Sequence, residues 1–432
     1  MKFKRFRIRK EYFGCLVHDR YKDRMLMLDG ESFELLREAK NDINSIDERT
    51  KEKLYEFGFV TRDEQIDYEL FENTVTKDVL SAPLTVHYVY THKCNLNCKH
   101  CYSKRADFTK EMTYDKKLEF LDQVAKTGAF KILIGGGEPF IDKNFISFLK
   151  ASVSRGLYTR TFTNGLLLTD EMIEELSTIP LGGISVSVDS PKCEVYSKIR
   201  GVDGLSTVVS NIKKLSEKCT YSVSFSITVN STNLNNEDEL LDLAKESGVK
   251  RLKVRPTKPS GNALKNTEIE VTPTTYADYV KRIVKSYYSK GYDTAFALDI
   301  NWGHMRLKTD AKQIDVQNNP LPYSEYSCIA GRGIIAVSPD GSVNPCGFLS
   351  SYYGEGSDNA VSTPLIQIWK ESNSLCNRES VLPNTHCVKC RYYSSCRGGC
   401  PARILHVNGK ANTIDPWCPE NIFPIKLEVD NK

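Results

Sequence analysis

A chain of 432 residues is long enough for about two to four domains at roughly 150 residues each, and 59 basic against 55 acidic residues leave a formal net charge of only +4. That balance makes no electrostatic case for nucleic acid or an anionic membrane surface as partner, and no apolar run reaches the about eighteen residues of a membrane span. The start, Met1-Lys2-Phe3-Lys4-Arg5, lacks the apolar centre of a signal peptide, so a cytoplasmic location is expected, and fourteen cysteines in that reducing compartment suggest metal rather than disulfides.

The first segment alternates apolar and basic side chains, Phe3, Phe6 and Ile8 against Lys4, Arg7 and Arg9, and continues through Arg24-Met25-Leu26-Met27-Leu28 into two short helical stretches. Period-two alternation predicts strands, so residues 1–80 read as a small strand-and-helix domain that ends in a polar linker, the polar residues running from Thr61 to Ala82. Taken alone, the alternating lysine and arginine are those of an edge strand protected against aggregation. From residue 81 the pattern becomes repeated strand-and-helix units, with strands at Leu84 to Tyr90, Phe130 to Ile134, Tyr158 to Thr163, Ile184 to Val188, Ser222 to Val229 and Arg251 to Arg255. Six units rather than eight, with glycines, Thr163-Asn164-Gly165 and Asp189 at or just after strand ends, predict an α/β fold. The form expected over residues 81–305 is an open or partial barrel with its site at the C-terminal ends of the strands. Over residues 306–432 the helix and strand signals weaken while Gly, Pro, Ser and eight of the cysteines accumulate, the pattern of a segment organised by metal rather than apolar burial.

Cys94, Cys98 and Cys101 stand in Cys-Asn-Leu-Asn-Cys-Lys-His-Cys directly after the first barrel strand, so three thiolates come from one loop at the expected active face. Three ligands on a cubane leave one iron open, whereas a structural zinc site is closed by four protein ligands. Gly135-Gly136-Gly137-Glu138-Pro139 follows the second strand, where glycines permit close backbone approach and a carboxylate accepts from an ammonium. Each feature alone has a blander reading, a zinc loop or an ordinary turn. Together, after strands one and two, they resemble the radical SAM superfamily. The resemblance implies a 4Fe-4S cluster on Cys94, Cys98 and Cys101, whose open iron chelates S-adenosylmethionine (SAM). One electron then cleaves the sulfonium bond, and the 5'-deoxyadenosyl radical removes a substrate hydrogen. By the same match Gly136, Gly137 and Glu138 would hold the methionine amino group, and Ser187 and Arg200 its carboxylate. His100 stands where the family usually has an aromatic residue, and Asp189 would face either the ribose or the substrate; Thr163 and Asn164 line the site without an assigned role.

Cys328, Cys346, Cys387, Cys390, Cys396, Cys400 and Cys418 form a second array, whose Cys387-x2-Cys390-x5-Cys396-x3-Cys400 core resembles the SPASM extension of radical SAM enzymes. That resemblance implies two auxiliary iron-sulfur clusters, one on Cys387, Cys390, Cys396 and Cys418 and the other on Cys328, Cys346 and Cys400. The second has either an open iron for a substrate thiolate or Cys376 as its fourth ligand; Cys15, Cys193 and Cys219 read as structural thiols. Residues 1–60 resemble the winged-helix-like domain that captures leader peptides, known from pyrroloquinoline quinone biosynthesis. The likeness rests on the first hairpin, Leu28-Asp29-Gly30, a helix around Glu34 to Lys40 and Gly58-Phe59-Val60, and it implies strand addition of a peptide to a sheet edge.

The whole arrangement resembles a radical SAM/SPASM peptide maturase. It implies oxidation of a ribosomally made precursor peptide, with a flavodoxin- or ferredoxin-type electron donor. Thioether formation is the expected outcome, and carbon-carbon or ether links would use much of the same machinery. The alternatives are a peptide epimerase, an anaerobic sulfatase maturase that makes formylglycine, and a non-catalytic cluster-bearing peptide-binding protein. Sulfatase maturases typically place an acidic base directly after the cysteine that matches Cys346; here that residue is Gly347, which cannot accept a proton.

Overall fold

A computed structural model describes residues 3–103, 110–300, 321, 327–349, 358–372, 375, 385–410 and 413–418. Cys376 and the expected boundary at 305/306 lie outside the described residues.

The amino-terminal segment forms a four-stranded sheet from β1 (Phe6–Glu11), β2 (Gly14–Asp19), β3 (Arg24–Leu28) and β4 (Tyr68–Phe71), in the order β3-β2-β1-β4. Two helices cover it. Helix α1 (Gly30–Asn41) starts where the Asp29 carboxylate accepts from the Ser32 N–H, and α2 (Glu48–Phe57) is capped likewise by Asp47 and stopped by Gly58 at φ +77°. Phe33, Leu36 and Leu54 from the helices pack on Phe6, Ile8, Val17 and Tyr68 of the sheet.

The polar stretch after residue 60 is not all linker, because β4 lies within it and pairs parallel to β1, Phe6 opposite Tyr68. Nor are Arg7 and Arg9 the guards of an exposed edge. Strand β1 is internal, and both side chains are buried on the face opposite the helices. Arg7 donates to the carbonyls of Ala129 and Ala125 (2.7 and 3.0 Å), and Arg9 donates to Glu11, Pro83 O and Gly128 O (2.7, 2.8 and 3.2 Å). The alternation is thus burial on both faces, apolar toward the domain's own helices and cationic toward carbonyl oxygens of the main domain.

Among the described residues the main sheet holds nine strands, in the order β11-β10-β9-β8-β7-β6-β5-β12-β13. The six expected strands are β5 (Thr85–Thr91), β6 (Lys131–Gly136), β7 (Tyr158–Thr163), β8 (Gly183–Ser187), β9 (Val223–Val229) and β10 (Arg251–Pro256), all parallel. Helices α3 (Tyr114–Lys126), α4 (Phe145–Ser154), α5 (Asp170–Ser177), α6 (Cys193–Arg200), α7 (Leu205–Lys218), α8 (Glu237–Glu246) and α9 (Pro273–Ser289) connect or flank these strands. On β5, Val86, Tyr88 and Tyr90 are buried, the two tyrosines against Phe120, Phe145 and Phe148 of α3 and α4; Thr85 and His87 alternate to the other face.

That other face curls on itself. Lys253 Nζ of β10 lies 5.7 Å from the Phe162 ring centroid of β7, although three strand spacings of about 4.8 Å would separate the strands in a flat sheet. Beyond the six, β11 (Ala297–Ile300) extends one end, and β12 (Ile334–Val337) with β13 (Val343–Asn344) extends the other. Since β12 pairs parallel to β5, Ile334 opposite Thr85, the cysteine-rich segment is partly built into the main sheet. No helix among the described residues is long and apolar enough to cross a membrane.

Candidate active site

The loop bearing Cys94, Cys98 and Cys101 leaves the C-terminal end of β5 and is gripped from two sides. On one side, the N–H groups of Gly137 and Glu138 donate to Thr91 O and Lys93 O (2.7 and 2.8 Å). A Cβ on Gly136, at φ +145°, would stand 2.3 Å from Thr91 O, and one on Gly137 2.1 Å from Lys93 O. These glycines therefore let the cysteine loop pass over the end of β6, whatever else they hold. Gly137→Ala is expected to displace that loop at about 1–3 kcal/mol and to lower the iron and sulfide retained per chain after reconstitution, read by elemental assay beside an unchanged far-ultraviolet circular dichroism spectrum.

On the other side is a turn the sequence did not single out. Asn262 donates its N–H to Cys101 O (2.8 Å) and its side-chain amide to Asn97 Oδ1 and Cys98 O (both 3.0 Å), while Asn266 reaches Lys99 O (3.3 Å). Gly261, at φ +60°, permits the contact, since a Cβ there would lie 2.4 Å from Cys101 O. A Gly-Asn pair signals a turn, but nothing in the sequence names a partner more than 150 residues away.

Cys98 is buried, and Cys94 and Cys101 are half-buried. Burial pushes the Cys98 thiol up to about 11, against the nearby Arg200 cation, and the charges of Asp189, Cys101 and Cys94 add to the rise. Arg200 Nη1 is 3.8 Å from Cys98 Sγ, and Nη2 is 2.6 Å from Asp189 Oδ2. Asp189 is buried, accepts from the Thr228 N–H (2.9 Å) and has His100 Nε2 at 3.6 Å. Burial, opposed by Asp189, lowers His100 to about 4. Cys98, Asp189 and Arg200 thus form one buried group with the half-buried His100 beside them, while Ser187 ends β8 two residues before Asp189 and is half-buried. Glu138 is wholly buried and accepts from Thr163 Oγ1, Asn164 N–H and Phe140 N–H (2.8, 2.7 and 3.2 Å). Burial raises it to about 7. Thr163 and Asn164 gain a role here, for Asn164 also donates to Asn95 Oδ1 (2.8 Å) and so ties the end of β7 to the cysteine loop.

The second array falls into neighbouring groups. Burial pushes Cys328 up to about 12, and the charges of Cys400 and Cys346 add to it; Cys346 responds to burial and Cys400 in the same way, and Lys258 opposes both. Cys346 and Cys400 pack on Leu349, Ala402 and Leu405. Burial likewise pushes Cys396 up to about 12, with Cys418 and Asp415 adding. Asp415 knits the segments, accepting from the Cys400 and Trp417 N–H groups (2.7 and 2.9 Å) and from Arg403. Cys387 and Cys390 share one turn, the Cys390 N–H donating to Cys387 O (3.0 Å). Among the described residues, no three His, Cys, Asp or Glu side chains are placed to hold a single metal ion. Tyr102, next to Cys101, bridges the arrays, its ring 4.7 Å from that of Phe348. A Cβ on Gly347 would stand 3.5 Å from His87 Nδ1 and 3.6 Å from the Tyr102 ring. Three thiols on one loop with a guanidinium beside them suit an iron-sulfur site, because the cation offsets the charge of thiolate ligands.

Residues 88–244 match the radical SAM superfamily. The chain is 28% identical over 349 residues to the AdoMet-dependent heme synthase of Methanosarcina barkeri, with 78% of this chain and 97% of that protein covered. It is 26% identical over 344 residues to the mycofactocin maturase MftC of Mycobacterium tuberculosis, covering 78% and 83%. In fold it is similar to SuiB of Streptococcus suis, solved bound to the precursor peptide SuiA, with a TM-score of 0.74, 96% of this chain and 99% of that one covered, and 17% identity. The matched segment carries Cys94, Cys98, Cys101, Glu138, Asp189 and Arg200. The superfamily implies SAM and a 4Fe-4S cluster, and the chain carries a radical SAM domain in residues 88–244, which supports an enzyme of this type.

Proposed function

We propose that the enzyme oxidatively modifies a ribosomally made precursor peptide, forming a side-chain cross-link with a thioether as the leading case. The observation that carries this reading is the edge of the amino-terminal sheet. Strand β3 is terminal in that sheet, and Met25, Leu26 and Met27 are 36%, 42% and 49% exposed. An extended leader can add there as a further strand, with backbone bonds for affinity and side-chain contacts for selectivity. The mycofactocin maturase relative and the fold shared with a peptide-bound protein support the same substrate class.

When bound, SAM and its cluster supply the 5'-deoxyadenosyl radical, and the auxiliary clusters an electron acceptor. In this reading Cys94, Cys98 and Cys101 ligate the first cluster. Arg200 and Ser187 hold the SAM carboxylate, while Gly136, Gly137 and Glu138 hold its amino group. Asp189 orients Arg200, and His100 closes the site against water. Cys328, Cys346 and Cys400 hold one auxiliary cluster, and Cys387, Cys390, Cys396 and Cys418 the other. A flavodoxin- or ferredoxin-type protein supplies the electron. Gly347 against His87 leaves no carboxylate at the position where a sulfatase maturase needs its base, which disfavours formylglycine formation.

The test is co-expression with a candidate precursor encoded beside the enzyme. Mass spectrometry should show a loss of about two hydrogens, as two-electron oxidation requires. Met25→Asp/Met27→Asp is expected to weaken capture of the labelled precursor about tenfold or more by fluorescence polarisation. Unchanged mass with inverted stereochemistry would point to an epimerase, and neither change in any candidate would refute the peptide reading.

A further inference from the structure

The curled face of the main sheet carries more positive than negative charge. Lys253 of β10 lies in the register row of Ser226 and Ser187, on the side of the sheet where His87 and Phe162 approach each other. Its ammonium donates to Ser185 Oγ (2.8 Å) and stands over the Phe162 ring, and among the described residues it forms no ion pair. Arg160 of β7 is its nearest cation in electrostatic effect, followed by Arg255, while Arg251 adds to them. The acids nearby are already engaged. Asp299 serves Arg255 (3.1 Å) and Arg251 (3.8 Å). Asp23, from the β2–β3 turn at φ +48°, serves Lys131, His18 and, at 4.0 Å, Arg160. Arg160 Nη2 is buried without a hydrogen-bond partner.

A half-buried lysine with no ion pair among the described residues, in the field of a guanidinium whose Nη2 is buried and unbonded, is costly unless a ligand supplies the missing charge. We infer that Lys253 and Arg160 form a carboxylate-binding subsite in the barrel interior, which receives an anionic group of the substrate. Phe162 and Ser185 complete it, the ring against the aliphatic part of the substrate group and the hydroxyl orienting the ammonium. Burial lowers Lys253 to about 7, with the neighbouring cations adding, and a bound carboxylate would reverse that. Resting on the peptide reading, this names the core segment's chemistry: an Asp or Glu side chain, or the C-terminal carboxylate, enters the barrel beside the residue that is modified.

The experiment needs neither precursor nor turnover. The full chain is pulsed with acetic anhydride, and acetylation of Lys253 is followed by peptide mass spectrometry in the presence of millimolar N-acetylglutamate α-amide, N-acetylleucine, N-acetylglutamine α-amide or SAM. At least one carboxylate probe is expected to slow Lys253 labelling severalfold while the glutamine amide does not. The more protective probe identifies side chain or C-terminus as the source. In Arg160→Gln, Lys253 should still label, but carboxylate protection should fall. Equal protection by carboxylates and amide, protection by SAM alone, or none would overturn the subsite and leave the peptide reading standing. If the subsite holds and no precursor is modified, it is the peptide reading that fails.

Discussion

Arg9→Met is expected to destabilise the folded chain by about 3–5 kcal/mol, the cost of leaving one member of a buried ion pair without the other. Arg9 and Glu11 meet at 2.7 Å with both side chains fully buried. Burial raises Glu11 above the usual carboxylate range, and Arg9 is the largest influence that lowers it. Arg9 also joins the two sheets through Pro83 O and Gly128 O. Loss of the guanidinium thus removes these two interface hydrogen bonds as well as the charge. Urea unfolding followed by circular dichroism should show the amino-terminal transition at lower denaturant. Arg9→Met/Glu11→Leu should recover part of the loss, because no charge then remains buried alone, while the bonds to Pro83 O, Gly128 O and the Ser81 N–H stay broken. A single variant as stable as the parent would mean that the pair does not hold the amino-terminal sheet to the main sheet.

Arg200→Met is expected to weaken SAM binding about ten- to hundredfold, matching about 1.5–3 kcal/mol for hydrogen bonds to a charged group. The guanidinium stands between Cys98 and Asp189, so its removal leaves Asp189 buried without its ion-pair partner and exposes thiolate charge beside it. Arg200→Lys keeps the cation but not the planar fork and should fall between the two. Equilibrium dialysis of SAM against the reconstituted protein separates affinity from iron content, which is measured on the same samples. SAM affinity equal to that of the parent would restrict Arg200 to positioning Asp189.

The six central strands were legible because each is an apolar or alternating run followed by helical periodicity, and buried parallel strands have few other options. Strands β4, β11 and β12 were not. Each has only four residues, too few for a period to register, and each is recruited by pairing with a strand distant in sequence. The misreading of Arg7 and Arg9 has a similar cause. Their partners include carbonyl oxygens 118 to 122 residues away for Arg7, and alternating charge carries no record of such acceptors. At the site, Cys94, Cys98 and Cys101 were visible because their whole spacing lies in one loop. Glu138 was visible from its motif, but its bonds to Thr163 and Asn164 were not. Asn262 and Asn266, whose bonds run to backbone carbonyls of the cysteine loop, carry no motif at all.

The loop of Cys94, Cys98 and Cys101 is expected to be where this chain generates a radical from SAM. After anaerobic reconstitution with iron and sulfide and reduction with dithionite, the chain should release 5'-deoxyadenosine, and Cys94→Ala/Cys98→Ala/Cys101→Ala should release none. Absence of deoxyadenosine from fully iron-loaded parent protein, with or without a candidate peptide, would rule out radical chemistry on this loop and leave a cluster-bearing binding protein.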